Sequence, residues 1–448
     1  MEMNERMSKR FGWLLGVAVL VAFGLLVACG SNYDPSSNGL AIVGSQGSGL
    51  IETFSFNLFN GHLTPIDNTP IDTSNETCIL KGLPTSMVVD PKGAFAYAIL
   101  LTNSLCPGSA TGIQAFKANS SGSTTAVGSL VPFHAGLAPV VPNTMVMDAA
   151  GKFLFVADRT TTNIAGLYVP GSVSVFAIGS GGSVTEVAGS PFYTSNPAII
   201  VPQSSLDIVS VAASPTVFPA IGVNGVQNAV CSAPGMNPPT TEYLYAVDGL
   251  GNQVFEFQVN TSSGVLTNPS NATSVPSFPT DQTPAGVAVD PCNRFVYVTN
   301  SLTNKISAYT ICNGSPTAPS TPCLPPTPPG GLVPIAGSPF SMTGGNGPGQ
   351  ILVDPFGNYV YVLGMLSNTV NQLKISPISG AVTALTPSTV ATGLQPMAMA
   401  IRADDNWLFV TNFNAASMSQ YSITPATGQL SVLPTVQTDN YPWGVAVK

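Results

Sequence analysis

The sequence predicts an all-β protein: a seven-bladed β-propeller of four-stranded blades, closed by one blade shared between the two chain ends. Three observations predict it. A strand–turn–strand pattern recurs six times along the chain. The chain opens on three strand-like runs with no innermost strand before them, and it ends on one innermost strand with no blade after it.

The recurring pattern is a short apolar run led by proline, an Asp-centred turn, and an alternating aromatic run. Full copies start at Pro84 (turn Asp90 to Gly93), Pro142 (Asp148 to Gly151), Pro284 (Asp290), Pro348 (Asp354 to Gly357) and Pro396 (Arg402, Asp404). A degraded copy near Pro202 reads as 210–215, an insertion, then 242–248. Apolar alternation on either side of Asp-Pro-x-Gly chemistry makes two antiparallel strands. A third run follows, as in 172–178 and 305–311, and a Gly-containing turn leads to a short fourth, as in 182–187 and 428–433. Four strands per unit, with unit starts 46 to 82 residues apart, is blade spacing. The terminal pieces are complementary. Residues 442–448 supply an innermost strand, while 40–44, 50–56 and 63–66 supply the other three. Joining them closes the ring and leaves no open sheet edge.

Composition agrees with this fold and narrows the function. Only 8% of the 448 residues are charged, against a usual quarter, while 44% are hydrophobic. That balance excludes a disordered chain and a long-helix protein. The net charge of −8 argues against a nucleic-acid partner, because phosphate is repelled on average. Two histidines in the whole chain limit acid–base and metal chemistry, and no cofactor or metal site is expected: there is no CxxC, HExxH, GxSxG or phosphate loop.

The first thirty residues read as an address. Arg6, Lys9 and Arg10 precede an apolar run from Phe11 to Leu26, which is short for a membrane span. The run ends in Leu26-Val27-Ala28-Cys29-Gly30, which resembles the lipobox of bacterial lipoproteins. The resemblance implies cleavage before Cys29, lipidation of its thiol, and residence in the cell envelope. With Gly30 rather than Asp following, it implies the outer membrane. The expected organisation is a signal peptide over 1–28, a lipidated tether over 29–38 and the propeller over 39–448. Processing leaves 19 acidic and 10 basic residues.

Blade topology sorts the loops by face. Fourth-to-first and second-to-third connections lie on one face, here the top; first-to-second and third-to-fourth turns lie on the bottom. Six cysteines remain in the exported part, an even number that suits disulfides. The face rule pairs Cys78 with Cys106 on top, Cys231 with Cys292 on the bottom, and Cys312 with Cys323 within one loop. Free buried thiols are the alternative.

The runs Phe295-Val-Tyr-Val-Thr-Asn300 and Leu408-Phe-Val-Thr-Asn412, with the repeated Gly-Ser-Pro-Phe at 189–192 and 337–340, resemble YVTN-repeat and lactonase-type seven-bladed propellers. The resemblance covers nearly all of 39–448 and rests on strand, turn and packing residues. It implies the fold and, as an activity, hydrolysis of a sugar lactone of the 6-phosphogluconolactonase kind.

Candidate chemistry gathers on top. His134 follows Val131-Pro-Phe133 and belongs to a top loop, whereas His62 belongs to a bottom turn near the rim, too far away to cooperate. Aligning the ends of the second strands gives Ser45, Leu100, Asp158, Asp248, Asn300, Gly364 and Asn412. His134, Asp158 and Arg159 form the candidate catalytic group; Asp248, Asn300 and Asn412 are candidate ligand contacts. The competing reading is that these Asp and Asn side chains cap their own loops. The series Asp90, Asp148, Asp290, Asp354 and Asp404 reads as turn chemistry.

Two functions follow. The first expectation is a non-catalytic scaffold tethered at Cys29 to the membrane, binding an envelope protein or polysaccharide. The alternative is a lactone hydrolase acting at the top-face channel mouth, on a small lactone.

Overall fold

The computed structural model describes residues 38–66, 71–72, 82–102, 111–118, 124–133, 141–159, 161–162, 168–194, 207–215, 241–269, 274–312 and 329–448. The chain divides into two units, Met1–Asn38 and Gly39–Lys448, and the second carries the fold.

Among the described residues, seven antiparallel blade sheets follow one another along that unit, with a two-stranded ribbon of Thr161–Thr162 and Tyr168–Val169 besides. Blade 1 runs through Gly82–Val89, Phe95–Thr102, Gly112–Ala118 and Thr124–Pro132. Blades 2 to 6 have inner strands Val141–Met147, Ile208–Ala213, Pro284–Val289, Pro348–Val353 and Pro396–Ile401. In blade 7 the inner strand Pro442–Val447 pairs with Asn38–Ser45, followed outward by Leu50–Asn57 and Leu63–Pro65. The main-chain bonds between Leu40 and Lys448 in both directions complete this shared blade. The seven-bladed, terminally closed ring is therefore as expected, and the degraded copy is a full blade, with Glu242–Asp248 as its second strand.

The register confirms the alignment of the blades. The aligned residues Ser45, Leu100, Asp158, Asn300, Gly364 and Asn412 each lie opposite the proline at or near the start of their inner strand. In blade 3, Asp248 lies opposite Ile208, which occupies the proline's place. Each inner pair carries a register shift just below that point, so the bulge is part of the repeat.

Local chemistry explains the turns. Asp90 Oδ1 accepts the Phe95 N–H at 2.7 Å, Asp148 Oδ1 those of Lys152 and Phe153 at 2.6 Å, and Asp354 Oδ1 those of Asn358 and Tyr359 at 2.6 and 2.7 Å. Asp290 does the same for Cys292 and Arg294, and also holds the Arg294 guanidinium at 2.7 Å. These carboxylates are turn caps. In the Gly-Ser-Pro-Phe segments the outer strand breaks, and a serine hydroxyl takes over a main-chain partner. Ser190 accepts the Val175 N–H at 3.1 Å and Ser338 the Ala308 N–H at 2.9 Å.

The core is distributed. Seven apolar clusters each lie between two adjacent blades, for example Phe295, Tyr297, Val360 and Leu373 between blades 4 and 5, and Phe54, Phe56, Trp407 and Phe409 between blades 6 and 7. Face-to-face burial of sheets, about 25 cal/mol per Å² of apolar surface, holds the ring.

Candidate functional site

The seven inner strands surround a central cavity of about 540 Å³. Its wall is stitched by side chains that reach from one blade to the main chain of the next. Ser86 accepts the Met145 N–H at 2.9 Å, and Asn143 Nδ2 donates to the Val209 carbonyl at 2.6 Å. Gln350 accepts the Met399 N–H at 2.5 Å and donates to the Met399 carbonyl at 3.2 Å. Thr299 donates to the Gly349 carbonyl at 2.7 Å, and Thr411 to that of Trp443 at 3.0 Å. The polar groups near the cavity thus fasten the ring.

The ends of the second strands sit on the top face, as aligned, but their side chains point into the blades. Asp248 is buried; its Oδ1 accepts the N–H groups of Asp207, Leu250 and Gly251 at 2.8 to 3.1 Å, and its Oδ2 accepts from Gln253. Asn412 is buried, accepts the Gly393 N–H at 3.0 Å and donates to Ser417 and Ser419. Asn300 is buried and donates to Ser307 at 3.0 Å and to the Lys305 carbonyl at 3.3 Å. Each of the three closes its own blade.

Asp158 differs in charge state. It is buried, its Oδ2 accepts from Ser174 at 2.6 Å and Ser172 at 3.2 Å, and its Oδ1 has no partner. Burial pushes its carboxyl up to about 8, against the pull of the two serines. Near neutral pH it is an uncharged acid inside blade 2, not a carboxylate facing water.

Arg159, the next residue, faces outward and is about half exposed. Its Nη2 meets Asp207 Oδ2 at 2.7 Å, and its Nε lies 3.2 Å from Oδ2 and 3.3 Å from Oδ1 of that carboxylate. Asp207 is buried at the start of blade 3's inner strand, so the fork is fixed across the blade 2–blade 3 boundary. The bond to Asp207 raises the guanidinium's pKa, and Nη1 has no protein partner among the described residues. The structure thus brings together Arg159, Asp207 and Asp248, through the Asp207 N–H. Sequence reasoning missed Asp207, which lies in the degraded copy where no repeat position marks it.

His134, Cys29, Cys78, Cys106, Cys231 and Cys323 lie outside the described residues. Cys292 and Cys312 are buried and disulfide-bonded, but each of the three expected pairs has at least one member outside the described residues. Among the described residues, no group of three or more His, Cys, Asp or Glu side chains is arranged to hold a metal ion.

The fold defines a class, the seven-bladed β-propeller with a central cavity between its inner strands. The family model described as "Lactonase, 7-bladed beta-propeller" matches residues 236–318 and 331–447, somewhat under half of the chain. Solved structures of similar fold include a candidate 6-phosphogluconolactonase of Bacteroides fragilis, 17% identical with a TM-score of 0.62, covering 93% of this chain and 99% of that one. Another is the periplasmic gluconolactonase PpgL of Pseudomonas aeruginosa, 16% identical with a TM-score of 0.62, covering 92% and 99%. No curated protein matches the chain in sequence.

Proposed function

We propose that this protein hydrolyses a lactone at the top-face mouth of its channel. The observation that carries the reading is the Arg159 guanidinium, fixed on two nitrogens by buried Asp207 while Nη1 has no partner among the described residues. Water adds to the acyl carbon, the negative charge develops on the carbonyl oxygen, and the ring C–O bond breaks to release a hydroxy acid and a proton. A preorganised cationic donor is the group that such an oxyanion needs. The base in this reading is His134, on the top loop that leads into blade 2. Asp158, kept neutral by burial, has no part in activating water. The lactonase family match and the names of the similar structures support this reading over the scaffold, which no feature of the site favours.

The same proposal puts the chain in the cell envelope, lipid-anchored at Cys29, with the pairs Cys78–Cys106, Cys231–Cys292 and Cys312–Cys323. Lipid labelling of the wild type and of Cys29→Ser tests the anchor, and non-reducing peptide mapping tests the pairs. The activity is tested by proton release from phosphorylated and unphosphorylated lactones, with Arg159→Ala and His134→Ala alongside. Turnover lost in both variants is expected. No turnover above background on any lactone overturns the hydrolase.

A further inference from the structure

We propose that the mouth selects an uncharged lactone bearing an apolar alkyl or acyl substituent, in preference to a phosphorylated or polyhydroxylated ring. The inference rests on lactone hydrolysis as the function and names its substrate class.

The first ground is the distribution of cations. Residues 39–448 contain ten Lys and Arg side chains, of which only Lys81 lies outside the described residues. Lys92, Lys152, Arg294 and Arg402 sit in or beside first-to-second turns, Lys117 and Lys374 near the ends of third strands, and Lys448 after the last inner strand. All seven are on the bottom. Of the described cations, the two on top, Arg159 and Lys305, are each ion-paired, with Asp207 at 2.7 Å and Asp281 at 3.1 Å, while Lys81 directly precedes blade 1's inner strand in sequence. One half-neutralised arginine can steady a developing oxyanion, but a phosphate dianion needs several uncommitted donors.

The second ground is polarity in the cavity. A polyhydroxylated ring needs many hydrogen-bonding side chains, yet Ser86, Asn143, Thr144 and Gln350, which line the cavity, already bind the neighbouring blade's main chain. Displacing them would leave buried main-chain groups unpaired.

The third ground is the rim. Leu250, Leu302 and Leu366 hold the same place in the second-to-third turns of three successive blades, 50%, 66% and 80% exposed. Leu394 and Tyr441, 60% and 48% exposed, sit in the fourth-to-first connections that follow. All five therefore lie on the top face. Tyr441 packs on Phe413 with ring centroids 4.8 Å apart, and Phe413 packs edge-on against Trp443 at 5.4 Å. Trp443 and Met365 line the cavity, and Leu366 follows Met365, so apolar surface runs from the channel to the rim. Tyr441 is held at φ 58°, as Thr283 and Gln395 are at 54° in the same place before their inner-strand prolines, so this conformation belongs to the repeat and fixes where the ring is presented.

The test uses the full-length chain in lipid nanodiscs, with empty nanodiscs as blank. The substrates are δ-lactones with alkyl substituents of zero to six carbons, beside gluconolactone and its 6-phosphate. We expect kcat/KM to rise about fourfold per methylene. Leu302→Asp and Leu366→Asp should flatten the series, and Ile378→Asp, exposed on the bottom face, should not. A flat or falling series, or preference for the phosphate, overturns the inference and leaves the hydrolase standing. Binding is read separately, by the fluorescence lost in Trp443→Phe. Quenching that deepens with substituent length supports the inference even without turnover; quenching independent of length overturns it.

Discussion

The ring of Phe295 lies on the backbone of Gly380 in the following blade, and Tyr297, two residues on, donates its hydroxyl to the Gly380 carbonyl at 2.9 Å. The same lock joins Tyr243 and Tyr245 to Gly330, with the hydroxyl bond at 2.7 Å, and Tyr359 and Tyr361 to Gly428, at 2.8 Å. At three other boundaries the ring alone recurs: Phe95 on Gly182, Phe153 on Gly264 and Trp407 on Gly61. Each of these glycines has positive φ, and a Cβ on any of them would collide with the facing ring.

Two glycines separate the backbone and packing parts of that requirement. Gly380 has φ 72° and the Phe295 ring above it; Gly128 has φ 65°, and a Cβ there would meet nothing within 4 Å. Gly128→Ala therefore costs only the left-handed backbone conformation, about 1–2 kcal/mol. Gly380→Ala adds overpacking, for a total of about 3–4 kcal/mol. Urea midpoints with unchanged slopes measure both. Equal losses would mean that the ring contact contributes nothing.

A second expectation concerns pH. Burial raises the carboxyls of Asp158, Glu242 and Glu256 to about 8 in the folded chain. Unfolded, they titrate near 4. Between those values the folded state holds more protons than the unfolded one, so stability falls as pH rises from about 4 to 8. Thermal midpoints should be several degrees higher at pH 5 than at pH 8.5. In Asp158→Asn the amide can still accept from Ser172 and Ser174 without ionising, so the variant should lose part of that slope and surpass the wild type at pH 8.5. A wild type more stable at high pH would refute the assignment of neutral buried acids.

Much of this fold was legible because its repeats carry their own chemistry. Asp90, Asp148, Asp290 and Asp354 mark turns, and the aromatic runs after them mark second strands, so the aligned positions from Ser45 to Asn412 follow from the residues without knowledge of the register. The site was less legible. Asp248, Asn300 and Asn412 look like an open polar ring in the alignment, but only tertiary packing decides that their side chains turn into the blades. The Arg159–Asp207 pair joins residues of two blades across 48 positions, and no local pattern encodes it. The gathering of cations on the bottom face emerges only when each is assigned to its turn or strand end.

Ring closure makes a third prediction. Removing residues 442–448 strips blade 7 of its inner strand and exposes the ladder edge of Asn38–Ser45. It also removes the bond from Thr411 to the Trp443 carbonyl at 3.0 Å. An open ring with a long apolar edge is a template for pairing between chains. The truncated protein should elute as large aggregates in size exclusion. Thr411→Val keeps the strand and loses the hydroxyl bonds, so it should stay monodisperse and lose about 1–2 kcal/mol. A monodisperse, cooperatively unfolding truncation would show that the other six blades hold the ring unaided.

The fork between Arg159 and Asp207 gives the last prediction. Two nitrogens of the guanidinium, Nε and Nη2, hold the carboxylate, which leaves Nη1 for the oxyanion. A lysine ammonium is a point charge on a flexible stem and cannot grip Asp207 in a fork while presenting a further N–H in a fixed direction. Arg159→Lys should keep KM near the wild-type value, because the ground-state lactone makes little use of that donor. Its kcat should fall about 10-fold or more, and Arg159→Ala should fall about 10²- to 10³-fold, the range for loss of one oxyanion donor. Asp207→Asn keeps the shape of the contact and removes the charge that fixes the arginine, so its kcat should lie between wild type and Arg159→Ala. The double variant Arg159→Ala/Asp207→Asn should be no worse than Arg159→Ala alone, since the aspartate acts only through the arginine. Steady-state kinetics of the four proteins decides it: additive losses, or full kcat in Arg159→Lys, would remove the guanidinium from the reaction.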